Sequence, residues 1–117
     1  MELEIDAAVQ AKLLPKLGPD KRVLLSYNDG VGPYSHHGLI ALQVDFQIVI
    51  IAADMPMADY EASLTTNLGT WYVKGYSTSL LDERMRLTLN TTYGTIQLSG
   101  NEMIDDNVEI VDASHNA

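Results

Sequence analysis

No cysteine occurs in the 117 residues of this chain. Disulfides, thiolate nucleophiles, zinc–thiolate centres and all-cysteine ligation of a metal cluster are therefore impossible within it. Cations are also scarce. Seven Lys and Arg stand against sixteen Asp and Glu, for a net charge of −9, with none from Val23 to Val73 and none after Arg86. A nucleic-acid surface needs clustered cations to neutralise phosphates, and an anionic membrane surface needs the same, so both partner classes are excluded. No apolar run reaches membrane-span length; the longest, Ile48 to Ala53, suits a buried strand. The first residues, Met1 to Ile5, have neither the basic nor the apolar region of a signal peptide, and the expected location is cytoplasmic. The hydrophobic fraction of 46% and charged fraction of 20% are those of an ordinary globular domain. One domain over residues 1–117 is expected, fraying over 113–117.

What is there centres on the stretch from Asn28 to Gly38, where three glycines, a proline and two adjacent histidines lie between two strand-like runs. Asp29-Gly30 is a strong turn dipeptide, and Pro33 pushes Gly32 towards extended geometry. Gly30, Gly32, Pro33 and Gly38 are read as the residues that shape this loop. No third glycine stands at position 35 and no Gly-Lys-Ser/Thr ending follows, so neither a dinucleotide fingerprint nor a P-loop is present. His36 and His37, with Asp29 as an oxygen donor, are the candidate metal ligands. Adjacent side chains on an extended chain point apart, so both rings reach one ion only if the loop bends. The plainer reading is a wide, solvated strand connection. Ser35, His36 and Asp29 supply the residue types of a nucleophilic site without a recognised spacing.

Along the rest of the chain, Glu2 to Ile5 reads as a short edge strand. Asp6 is placed to cap a helix over Ala7 to Leu14, with Val9 and Leu13 on its core face, and Pro15 ends it. Arg22 to Tyr27 is a strand. Leu39 to Ala53 is the most strand-like stretch, with a bend expected near Val44-Asp45 and both faces covered at its end, where Val49 and Ile51 stand. Ala62 to Thr66 and Thr70 to Tyr76 flank a turn at Asn67 to Gly69. Trp71 and Val73 face opposite to Tyr72 and Lys74. A single helical turn is expected around Leu80-Leu81. Met85 to Leu89 and Thr95 to Ser99 alternate cleanly around Asn90 to Gly94 and should pair antiparallel. Val108 to Val111 adds a last strand.

This order, and the residues Leu24 to Ser35, Gly69 to Tyr76 and Leu81 to Thr88 in particular, resembles the HesB-like domain of A-type iron–sulphur cluster carriers. More specifically, it looks like the short, cysteine-poor relatives from Firmicutes. Typical carriers place one cysteine in the glycine-rich loop and a Cys-Gly-Cys near the C-terminus. Here His36 falls at the first position, and nothing between Gly100 and Ala117 matches the second. The resemblance implies an α+β, mostly β chain: packed layers of mixed and antiparallel β-structure with one short N-terminal helix. It implies a link to iron–sulphur cluster biosynthesis without cysteine ligation. A non-catalytic accessory or binding protein with no cofactor of its own is the expected role. Its partner would be a protein, drawn from the biogenesis machinery, and assembly with a second copy stays open. The alternative is a metal-dependent or histidine-assisted enzyme using His36, His37 and Asp29.

Overall fold

The computed structural model describes residues 1–28 and 45–114. The glycine-rich loop, with Asp29, Gly30, Gly32, Pro33, His36, His37 and Gly38, lies outside them.

Asp6 shapes the N-terminal entry. Its Oδ1 accepts the Val9 N–H at 2.8 Å, capping helix α1 (Ala7–Leu13), and Oδ2 accepts the Leu89 N–H at 3.3 Å. One carboxylate thus starts the helix and ties it to the barrel wall. Pro15 lacks an N–H, and the chain tightens there into a 3₁₀ turn over Leu14–Lys16. Asp6→Ala is expected to cost about 1–2 kcal/mol, the usual loss for an N-cap. Urea denaturation checks this, and Asp6→Asn should recover most of the loss because it restores the acceptor facing Val9.

Among the described residues eight strands follow from the alternation of apolar residues: β1 (Glu2–Ile5), β2 (Lys21–Tyr27), β3 (Phe46–Ala52), β4 (Ala62–Thr66), β5 (Gly69–Val73), β6 (Arg84–Asn90), β7 (Thr95–Ser99) and β8 (Met103–Asp112). They close into a barrel in the order β1-β4-β5-β2-β3-β8-β7-β6. Antiparallel pairs β4–β5, β2–β3, β7–β8 and β6–β7 are joined by parallel seams β1–β4, β2–β5, β3–β8 and β1–β6.

A mostly β chain with one short helix is what the sequence implies, but the packed layers are a closed barrel. The strand that decides this is β1. Expected at an edge, it lies between β4 and β6, Glu2 opposite both Thr65 and Arg84, and so joins the two ends of the sheet. Alternation reports that one face is buried, and layers and barrels bury one face alike.

The interior is filled by Leu3, Ile5, Val23, Leu25, Phe46, Ile48, Ile50, Leu64, Trp71, Val73, Met85, Leu87, Ile96, Leu98 and Val108. Val9 and Leu13 of α1 pack against them. A second cluster lies on the other face of β2 and β3: Leu24, Val49, Ile51, Tyr60 and Ala113, with Met55 and Met57 against it. Strands covered on both faces read as continuous apolar runs, which accounts for Val23 to Leu25 and Ile48 to Ile51. The cover is the connection from Ala53 to Glu61. It is held by the Met55 N–H on the Ala52 carbonyl (3.0 Å), Arg22 Nη1 on Met57 Sδ (3.0 Å) and the Tyr60 N–H on the Met57 carbonyl (3.0 Å).

The β6–β7 hairpin has the expected register, Leu87 opposite Leu98 and Leu89 opposite Ile96. Its loop closes through the Gly94 N–H on the Asn90 carbonyl (2.7 Å), with Gly94 at φ 69°, where glycine avoids a Cβ clash. Three boundaries differ from the expectation. β5 stops at Val73, because the Lys74 carbonyl accepts both the Ser77 N–H (3.0 Å) and Oγ–H (2.7 Å) and opens a 3₁₀ turn over Gly75–Leu80. The last strand begins at Met103, earlier than Val108. Ala113, placed in the fraying tail, is buried, and its N–H donates to the Ile50 carbonyl at 2.8 Å.

Candidate functional site

Both described ends of the glycine-rich loop emerge side by side from β2 and β3. The Asn28 N–H donates to the Asp45 carbonyl at 2.8 Å, and Asn28 Nδ2 to Asp45 Oδ2 at 3.1 Å. This double clamp forms a neck at the ends of β2 and β3. The metal ligands expected at His36, His37 and Asp29, and the shape-setting Gly30, Gly32, Pro33 and Gly38, lie beyond it, outside the described residues. Among the described residues no three His, Cys, Asp or Glu side chains group closely enough to hold a metal ion.

What the structure does show is a buried polar layer beneath the neck. Lys74 is 0% exposed; its Nζ donates to the Tyr27 carbonyl at 2.9 Å and lies 5.6 Å from the centroid of the Tyr60 ring. The Tyr60 and Ser26 hydroxyls share a hydrogen bond of 2.7 Å between fully buried residues. Glu61 Oε1 accepts the Gly75 N–H at 3.1 Å, fastening the covering connection to the chain just beyond β5. Among the described residues the buried Asn28 Oδ1 and Gln47 Oε1 acceptors have no partner. On the adjoining strand Asp105 Oδ2 accepts the Phe46 N–H (2.8 Å) and Oδ1 the Asn107 N–H (2.9 Å). Burial pushes the Asp105 carboxyl above its ordinary range. The two backbone bonds act against that rise, while Asp45 and Asp106 add to it.

Sequence reasoning missed this layer. It placed Lys74 on the face opposite Val73 and gave no sign that this face is covered. The cover arrives from Tyr60, fourteen positions earlier, and no local pattern announces it. Asp105 was one acid among five in the tail; its burial, its two backbone hydrogen bonds and the bulged pairing of β7 with β8 single it out only in the folded structure.

Residues 1–112 match the family described as iron–sulphur cluster biosynthesis. The chain belongs to that family. Two crystal structures share its fold. One is a candidate Fe-S biosynthesis protein from Lactobacillus salivarius, described as having a novel fold: 29% identity, 96% of this chain and 98% of that one covered, TM-score 0.85. The other, from Lactobacillus acidophilus and described in the same terms of function, has 22% identity, coverage of 96% and 90%, and a TM-score of 0.72. No protein of curated function matches the chain. The family's name brings an iron–sulphur cluster to mind as cargo, and the donor set does not fit one held by thiolates. There is no cysteine, and the two oxygens of Asp105 are already committed to backbone N–H groups.

Proposed function

We propose that this protein serves iron–sulphur cluster biosynthesis as a non-catalytic accessory protein that binds a component of the biogenesis machinery and ligates no cluster through its own side chains. One observation carries the reading: a family domain spanning residues 1–112 in a chain with no cysteine at all. Thiolates hold the cluster in cysteine-ligated carriers, and imidazole or carboxylate substitutes bind iron without supplying that soft donor set. The barrel then acts as a rigid frame for binding a protein partner.

Anaerobic incubation with ferrous iron and sulphide, followed by desalting, is expected to leave the isolated protein colourless. A stable visible absorption band with stoichiometric sulphide would overturn the proposal. The accessory role has its own test. Loss of the gene in the native host should lower the activity of cluster-dependent dehydratases, and unchanged activity would sink it.

A further inference from the structure

Leu80 and Met103 are two of the five large apolar side chains that stand exposed among the described residues, at 36% and 52%. They meet across a groove of about 460 Å³ lined by Leu80, Asp82, Asn101, Glu102, Met103 and Ile104. One wall is the end of the 3₁₀ turn and the connection into β6. The other is the turn from β7 into β8. The two walls are tied together. Asp82 Oδ2 accepts the Asn101 N–H at 2.9 Å, and Gly100 lets that carboxylate lie against the backbone, where a Cβ would strike it. The Gly100 N–H closes the turn on the Glu102 carbonyl at 2.9 Å. The chain itself thus sets the shape of the groove.

Three of the lining residues are polar and three apolar, so the groove offers both kinds of contact. Its charge has one sign. Asp82 and Glu102 are acidic, and among the described residues neither pairs with a cation. Arg84 and Arg86, the nearest cations in sequence, are not lining residues, and no cation follows them. Acids beside exposed Leu80 and Met103 complement a segment that carries cations next to apolar side chains. A second copy presenting the same face would set like charges together, in a chain of net charge −9. Nucleic acid and anionic membrane are repelled for the same reason. A basic segment of another protein is the occupant that remains.

We propose that this groove docks a short basic and apolar segment of a partner protein. Arginine or lysine side chains of the segment meet Asp82 and Glu102, and an aliphatic side chain rests on Leu80 and Met103. The proposal rests on the accessory reading for there being a partner at all, and it names that partner's chemistry.

The acetylated, amidated hexapeptide Ser-Leu-Arg-Leu-Arg-Ser, titrated into the whole chain, should move the ¹H–¹⁵N peaks of Asn101, Glu102, Met103 and Ile104 saturably. Kd should be about 1 mM or tighter. Glutamate in place of both arginines should abolish binding. Serine in place of both leucines should weaken it about five-fold or more, because only screened surface charge is left. Asp82→Asn, which keeps an acceptor for the Asn101 N–H, and Glu102→Gln should each weaken the first peptide about two- to five-fold. Met103→Ser should do so about five-fold or more. All three variants should melt where the wild type does, since the altered groups are at the surface. No saturable movement would end the proposal. So would equal movement at Asp54 and Asp59 on the far connection, or equal affinity for the leucine-free peptide, since either would mean attraction to net charge alone. Movement of the same peaks with protein concentration, without peptide, would give the groove to a second copy and end it too. The isolated protein is used throughout, so failure here leaves the accessory role to the gene-loss test, and failure there leaves a measured groove affinity standing.

Discussion

Replacing Lys74 by alanine is expected to destabilise the protein by about 3 kcal/mol, an effect on the scale of truncating a long side chain in a packed core. The residue is fully buried, so its four-carbon stem is packed as an apolar side chain would be. Its Nζ bonds the carbonyl of Tyr27, the last residue of β2, and removing the donor breaks that bond next to the neck. Losing a buried hydrogen bond costs about 0.5–1.5 kcal/mol, more where a charged group makes it. Against this, burying a polar nitrogen carries its own desolvation penalty, which disappears with the side chain. Lys74→Met separates the parts. It keeps most of the stem and loses only the donor, so a loss of about 1–2 kcal/mol is expected. Denaturant unfolding of the three proteins decides the matter. If both variants lie within about 0.5 kcal/mol of wild type, the buried nitrogen is not a net support and the account fails. Hydrogen exchange adds a local readout: the Asn28 amide, which donates to Asp45 across the neck, should exchange faster in both variants than in wild type.

The same residue marks the limit of what could be read from the chain in advance. Clean alternation in Met85 to Leu89 and Thr95 to Ser99, with Asn90 and Gly94 between them, specified a hairpin and its register, because a one-residue slip would turn Leu87 and Leu98 outward. Asp6 as a cap, the helix ending at Pro15 and the two-faced burial of Val49 and Ile51 were legible for the same reason, each being a local demand on a local residue. Barrel closure was not, since β1 must find β6 and β4 at separations of about eighty and sixty residues, and its four-residue alternation is satisfied by any buried face. The burial of Lys74 was hidden because Tyr60 covers it from a distant connection. Within the loop at Asn28 to Gly38, composition identified the unusual segment and spacing excluded two nucleotide-binding motifs. The resemblance carried by Leu24 to Ser35 led to the family that the match over residues 1–112 establishes.

Asp105 gives the other large effect, and it takes opposite forms in two variants. Its carboxylate accepts the Phe46 N–H at the start of β3 and the Asn107 N–H across its own bulge. Asp105→Ala orphans both, at about 2–4 kcal/mol. Asp105→Asn keeps one acceptor and removes a charge that burial disfavours, with Asp45 and Asp106 adding repulsion. Because the folded-state pKa lies above the unfolded one, the folded chain holds the extra proton over the interval between them. The stability that this proton confers is fully present below the unfolded value and is lost as pH rises through the folded one. Wild type should therefore lose ground to Asp105→Asn as pH rises from the acid range towards neutrality, and at neutral pH the asparagine variant should be at least as stable as wild type. Urea unfolding of the three proteins across that interval tests both statements. An asparagine variant as damaged as the alanine one at neutral pH would show that both backbone bonds outweigh the buried charge. A gap that moves in wild type's favour as pH rises would show that those bonds hold the Asp105 carboxyl down rather than letting burial lift it.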